Sequence, residues 1–147
     1  MIKLNDSIMR VLKTGLWYIG TCGDEPNIVP VGFKEVTPEG KLIVGVLHLN
    51  NTIANIEKNN CITVTACSGN VKSGFCIKNH AKFMADSAYF VYGYNITGTA
   101  RFVKEGPHVD KWKSVADKML KGAIPVTGIL EITPENVSKA MPDLINA

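Results

Sequence analysis

Turn-forming residues recur along this chain at intervals of about ten, and that spacing sets the length of anything regular between them. Gly23-Asp24-Glu25-Pro26 and Pro38-Glu39-Gly40 separate three segments, Leu16 to Cys22, Ile28 to Val36 and Lys41 to His48. All three are rich in the β-branched and aromatic residues that fit a pleated surface. Connections this short join antiparallel strands, because a parallel pair needs a crossover of about a dozen residues or more. A β-meander is therefore the expected centre of the fold.

The flanking sequence predicts short helices and further strands. Asn5-Asp6-Ser7 offers N-caps to a helix in which Ile8, Val11 and Leu12 share one face, with Gly15 ending it. Asn50-Asn51-Thr52 offers candidate caps to a second helix through Ile53, Ile56 and Asn59, after which Cys61 to Cys67 alternates as a strand. Ser68 to Asp86 holds no sustained period and reads as a strand broken by a mobile loop. Tyr89 to Lys104 reads as one long strand with bulges or bends at Gly93 and Gly98. Pro107 suits the first turn of a third helix, where Val109, Trp112, Val115, Ala116, Met119 and Leu120 repeat at helical spacing and Gly122 closes the element. Val126 to Ile132 reads as the final strand before Thr133-Pro134-Glu135, and Asn136 to Ala147 fits no pattern. The expected fold is mainly β: a single domain over residues 1–147, built as a six-stranded antiparallel split β-barrel with short flanking helices.

Composition narrows the function classes. With 147 residues, 46% of them hydrophobic and 20% charged, the chain buries enough surface, roughly 70% of what it exposes unfolded, to need no disulfide or metal staple. The net charge is +3, but Arg10 and Arg101 are the sole arginines and no basic run exceeds two residues, so the lysines read as solvated surface and no nucleic acid partner is expected. Apolar stretches such as Leu42 to Leu47 are too short to span a bilayer, and Met1-Ile2-Lys3-Leu4 opens no secretory signal. A cytoplasmic protein without a membrane partner is expected. Cys22, Cys61, Cys67 and Cys76 include no C-x-x-C pair and read as free, buried thiols rather than zinc ligands or disulfides. His48, His80 and His108 are too scattered for a metal signature, and the common nucleotide-loop, zinc-protease and serine-hydrolase motifs are missing from the sequence.

The most informative segment runs from Leu42 to Ile56, where a strand ends in polar residues that open a helix. Backbone N–H groups at a helix start, with short amide and hydroxyl side chains beside them, suit a phosphate. The same residues suit ordinary capping by Asn51 or Thr52. Spacing alone leaves both readings open.

Taken in order, the strands and turns, Pro26-Asn27-Ile28-Val29-Pro30-Val31-Gly32-Phe33-Lys34, His48-Leu49-Asn50-Asn51-Thr52-Ile53-Ala54-Asn55-Ile56 and Gly93-Tyr94-Asn95-Ile96-Thr97-Gly98-Thr99-Ala100-Arg101-Phe102 resemble the pyridoxamine 5′-phosphate oxidase-like FMN-binding split barrels. The chain is also similar to the small FMN-binding proteins and the flavin reductase-like branch of that group. The resemblance implies a homodimer with FMN at the subunit interface, serving electron transfer or a small flavin-dependent oxidoreductase, with a redox partner or a nicotinamide nucleotide exchanging electrons. It implies a phosphate held by Asn50, Asn51, Thr52 and Asn55, where the oxidases carry Ser-Arg-Lys in place of the first three. Two cations are lost by that departure, so neutral donors and the helix start must serve, with Lys34 either assisting or acting as an ordinary edge lysine. Pro30, Val31, Gly32 and Phe33 line the ring in this reading, and Val46 and His48 end the neighbouring strand. Phe33 also reads as a core aromatic and His48 as a rim histidine. Tyr89, Phe90, Tyr92 and Tyr94 read as barrel interior and dimer contact. The oxidases' C-terminal arginine and histidine motif is absent from the sequence, which argues against vitamin B6 oxidation. A deazaflavin- or haem-binding barrel and a cofactor-free ligand-binding or assembly module are the alternatives.

Overall fold

The computed structural model describes residues 1–68 and 92–140. Among the described residues seven strands form one sheet: β1 (Leu16–Cys22), β2 (Pro26–Val31), β3 (Lys34–Val36), β4 (Leu42–Gly45), β5 (Cys61–Ser68), β6 (Tyr92–Val103) and β7 (Ile129–Lys139). Helix α1 (Asp6–Thr14) precedes β1, α2 (Asn50–Lys58) joins β4 to β5, and α3 (Pro107–Leu120) joins β6 to β7. The strand order is β2-β1-β5-β6-β7-β4-β3, and each neighbouring pair is antiparallel.

The two edge strands of this sheet are consecutive in the chain, with Gly32 and Phe33 alone between them. A sheet whose first and last strands are tied by so short a link must curl until its edges approach, and this gives the expected split barrel. It also explains the difference in strand number. The sequence reads Ile28 to Val36 as one strand, but its first part pairs with β1 and its last part with β4. The corner at Gly32-Phe33 makes two strands of it.

The fully buried Trp17, Ile19, Leu42, Val44, Val64, Ile96, Leu130 and Ile132 fill the concave side. The face of α1 that carries Ile8, Val11 and Leu12 covers them, as its spacing predicts. The Asn5 side chain accepts from the Ile8 N–H at 3.0 Å, which caps α1, and the Trp17 indole donates to the Leu12 carbonyl at 2.9 Å, which fixes the helix on β1. A second cluster lies on the other side of β4, where Ile43, Ile129 and Val126 pack against Val109, Trp112 and Ala116 of α3. Because β4 is covered on both sides, its apolar run does not alternate. On α3, Met119 was expected on the packed face but is 67% exposed. The apolar stripe ends at Ala116, and the helix stops at Leu120 with Lys121 in the left-handed region at φ 51.

Strand β7 runs well past its expected end at Ile132, through Pro134 to Lys139. Two features allow this. Strand β4 pairs with β7 only from Ile129 to Ile132, so Pro134 faces no ladder on that side. On the β6 side the register shifts by one residue, Thr97 opposing Asn136 and Gly98 opposing Pro134, so Glu135 is extra. This is a bulge, and it absorbs the missing proline N–H.

The buried state expected for the cysteines needs correction. Cys22 and Cys61 are exposed and Cys67 is half-buried, because strand alternation turns them to the convex side, away from Ile19, Val64 and Ala66. Cys76, His80, Tyr89 and Phe90 lie outside the described residues, as do the rest of the expected element after Ser68 and the tail after Ala140. Charged pairs pin the sheet from outside. Glu131 accepts from Arg101 Nε at 2.9 Å and from Lys41 Nζ at 2.9 Å, and these bonds, Arg101 foremost, outweigh burial and hold its carboxyl below the ordinary range. Glu35 bonds His108 Nδ1 at 2.7 Å and also Lys111, tying β3 to α3. Among the described residues no helix is long and apolar enough to cross a membrane, and no group of three or more His, Cys, Asp or Glu side chains forms a metal site.

Candidate cofactor site

Helix α2 starts without a cap. His48, at φ 50, turns the chain out of β4, and Leu49 takes the N-cap position with no side-chain hydrogen bond. Asn50, Asn51 and Thr52 therefore lie inside the first turn, and neither Asn51 nor Thr52 is the capping residue. No acidic residue sits in that turn, so the partial positive charge of the helix start is left for an outside acceptor.

The polar side chains of the segment divide by direction. Asn50 and Asn51 are exposed. Thr52 is 1% exposed, and its hydroxyl accepts from Asn27 Nδ2 at 3.0 Å. Asn55 Nδ2 donates to Thr21 Oγ1 at 3.2 Å and to the Glu25 carbonyl at 3.1 Å. Thr52 and Asn55 thus fasten α2 to β1 and β2, while Asn50 and Asn51 face solvent at its start.

Beside Asn50 lies a concavity of about 540 Å³. Val46, Ile53 and Phe102 form its apolar wall, and Asn50, Thr127, Lys104 and Glu57 supply its polar groups. The backbone of Val46 is fixed by bonds to Gly128 and Thr127, which brings the start of β7 alongside. Sequence reading found Val46 and Asn50 but missed Phe102, Lys104 and Thr127. No local motif marks these three, since the pairing of β6 with β7 and of residue 46 with residues 127 and 128 is what assembles them.

The remaining expected residues gather at the β2–β3 corner. Pro30 is exposed and Val31 is buried against the core. Gly32 is exposed, with open space where a Cβ would project. The Phe33 ring stacks on Trp112 at 5.4 Å and 19° and so belongs to the second core cluster. Lys34 donates to the Gly15 carbonyl and lies 4.9 Å over the Trp17 ring. Burial lowers its pKa, while nearby Cys67 raises it in part. Lys34 therefore grips the entry to β1 at Gly15 and Trp17, whereas Asn55 and Thr52 contact Thr21 and its neighbour Asn27 at the other end. Trp17 and Thr21 stand about 13 Å apart along the strand. The side chains of Phe33 and Lys34 are thus engaged with Trp112 and Trp17, and neither lines the concavity beside Asn50.

No family model matches the sequence, and no curated protein matches it. Solved structures match its fold. The chain is 19% identical to HupZ of Group A Streptococcus, with a TM-score of 0.66, covering 94% of this chain and 94% of that one. It is 14% identical to an FMN-binding protein from Syntrophomonas wolfei subsp. wolfei, with a TM-score of 0.64, covering 86% of this chain and 77% of that one. It is 12% identical to HutZ, the haem storage protein from Vibrio cholerae, with a TM-score of 0.62, covering 95% and 97%.

Proposed function

We propose that this chain, whose fold is that of the pyridoxamine 5′-phosphate oxidase-like split barrels, is a flavoprotein that holds FMN at the start of α2. The observation that carries the reading is the uncapped first turn of α2, opening beside the concavity lined by Val46, Asn50, Ile53, Phe102, Lys104 and Thr127. The donor chemistry fits a phosphate. The N–H groups of Asn50, Asn51 and Thr52 and the exposed amides of Asn50 and Asn51 would hold it, with Lys104 as the nearby cation. Glu57 lines the same concavity but lies seven residues along the helix from Asn50, about 10 Å farther down its axis. The size fits as well, since ligand pockets commonly measure about 300–1,000 Å³.

Bound FMN supplies electron or hydride transfer, which the protein's own side chains do not. The part left to this chain is to bind the phosphate, cover the ring with apolar residues and limit water. No side chain is assigned as acid or base. A homodimer is part of this reading: a second copy would bring its exposed Pro30 and Gly32 to the α2 start of the first. A redox partner or a nicotinamide nucleotide is the electron source or sink in this reading.

The absorption spectrum of the purified protein, taken before and after FMN titration, tests the proposal. Flavin bands shifted by binding support it. A Soret band assigns haem instead, a deazaflavin spectrum assigns that cofactor, and no bound chromophore after titration overturns it.

A further inference from the structure

The β1–β5 ladder ends one residue short of two cysteines. The ladder pairs Leu16 with Cys67, Gly20 with Thr63 and Thr21 with Ile62. Continued by one step, the same register would set Cys22, the last residue of β1, opposite Cys61, the first of β5. Strand alternation puts both on the convex face with Tyr18, Gly20, Thr63 and Thr65. Both are exposed, and both line one groove of about 560 Å³ on that face.

Directly opposed residues of an antiparallel pair have Cα atoms about 4.5–5.5 Å apart, and a disulfide accepts about 4.4–6.8 Å. The ends of the strands supply the slack that a disulfide dihedral requires. Bends at residues 23–25 follow Cys22, and the irregular Asn59 and Asn60 precede Cys61. Cys67 cannot compete for Cys22, because six residues of strand place it about 20 Å away at the other end of β5.

We propose that Cys22 and Cys61 are a redox-active dithiol, oxidised to a cross-strand disulfide by small disulfides of the glutathione class. The inference stands apart from the flavin reading. One protein thiolate attacks a sulfur of the small disulfide, and the S–S bond breaks to release one small thiol and leave a mixed disulfide. The second protein thiolate then attacks the protein sulfur of that mixed disulfide and releases the second small thiol. The protein pair loses two electrons and two protons, and the small disulfide, gaining both, becomes two thiols. The product staples the end of β1 to the start of β5 along one margin of the groove.

The test incubates the full chain with oxidised glutathione, alkylates remaining thiols, and reads intact mass and peptide linkage. The expected result is a monomeric chain with two fewer alkylated thiols and the Cys22 peptide joined to the Cys61 peptide. The Cys67→Ser/Cys76→Ser double variant should give the same bridge, about 2 Da below its reduced mass. Cys22→Ser and Cys61→Ser should each stop at a single glutathione adduct on the remaining partner. Glutathione adducts persisting on both cysteines of the unaltered chain would overturn the proposal. A linkage to any other cysteine, or a disulfide between two chains, would do the same.

Discussion

Asn27 Nδ2 donates to Thr52 Oγ1 at 3.0 Å, and that bond joins β2 to the first turn of α2 at a residue that is 1% exposed. Thr52, one of the residues expected at the phosphate, fixes the helix whose main chain would meet the phosphate in the proposed reading. Thr52→Val keeps the shape and removes the acceptor, so it should cost about 1 kcal/mol of folding stability. The ratio of FMN to riboflavin affinity should stay unchanged, because the Thr52 N–H remains. Denaturant melts and paired flavin titrations measure the two effects, and a selective loss of FMN would put the hydroxyl itself in the phosphate site.

The bulge opposite Gly98 sets a second expectation. A Cβ at Gly98 would fall 2.0 Å from the Thr133 carbonyl oxygen, a backbone atom that cannot swing aside, while one at Gly20 would meet nothing closer than 3.8 Å. Gly98→Ala should therefore destabilise by roughly 1–3 kcal/mol, and Gly20→Ala should remain within about 0.5 kcal/mol of the parent. Urea denaturation midpoints of the two variants provide the comparison.

These contacts mark what was legible in the chain. The limits of β1 and the buried face of α1 follow from turn formers and spacing that act locally. The corner at Gly32-Phe33 was not visible, since Val31 and Phe33 are both good strand residues and only the change of partner from β1 to β4 bends the chain there. The extension of β7 through Pro134 was hidden for a related reason: the bulge at Glu135 depends on Gly98, more than thirty residues earlier. At the candidate site, Asn50 and Asn51 were legible as a polar helix start. Lys104, Phe102 and Thr127 join them through long-range pairing alone, and Lys34 is drawn off to Gly15 and Trp17 by the closure of the barrel.

Acid should loosen the sheet through Glu131. Its carboxyl is held below the reference value of 4.5 by Arg101 first and Lys41 as well, against burial. The sign follows from a folded-state pKa below the unfolded one: the contribution is full above pH 4.5 and is lost as pH falls through the lower folded value. Stability measured from pH 6 downward should fall more steeply in the parent than in Glu131→Gln. Parallel curves for the two proteins would contradict the assignment.

The corner supplies a fourth test, aimed at the second copy. Gly32 has open space around its missing Cβ, so Gly32→Phe should leave the folding of the single chain within about 0.5 kcal/mol of the parent. It should weaken both self-association and FMN binding, because the added ring obstructs the surface assigned to the partner. Sedimentation with and without FMN reads both. A monomer that still binds FMN tightly would remove the second copy from the site.

The most direct measurement of the central claim is the FMN and riboflavin affinity of Asn51→Asp. A carboxylate in the first turn of α2 favours the helix by about 0.3–1 kcal/mol, so the variant should fold as well as the parent or slightly better. The same charge repels a phosphate bound there. FMN binding should weaken by roughly tenfold or more, about 1.4 kcal/mol or above, while riboflavin, which lacks the phosphate, keeps its affinity. An unchanged ratio of the two affinities in a stable Asn51→Asp protein would contradict the account, because the phosphate would then lie away from the start of α2.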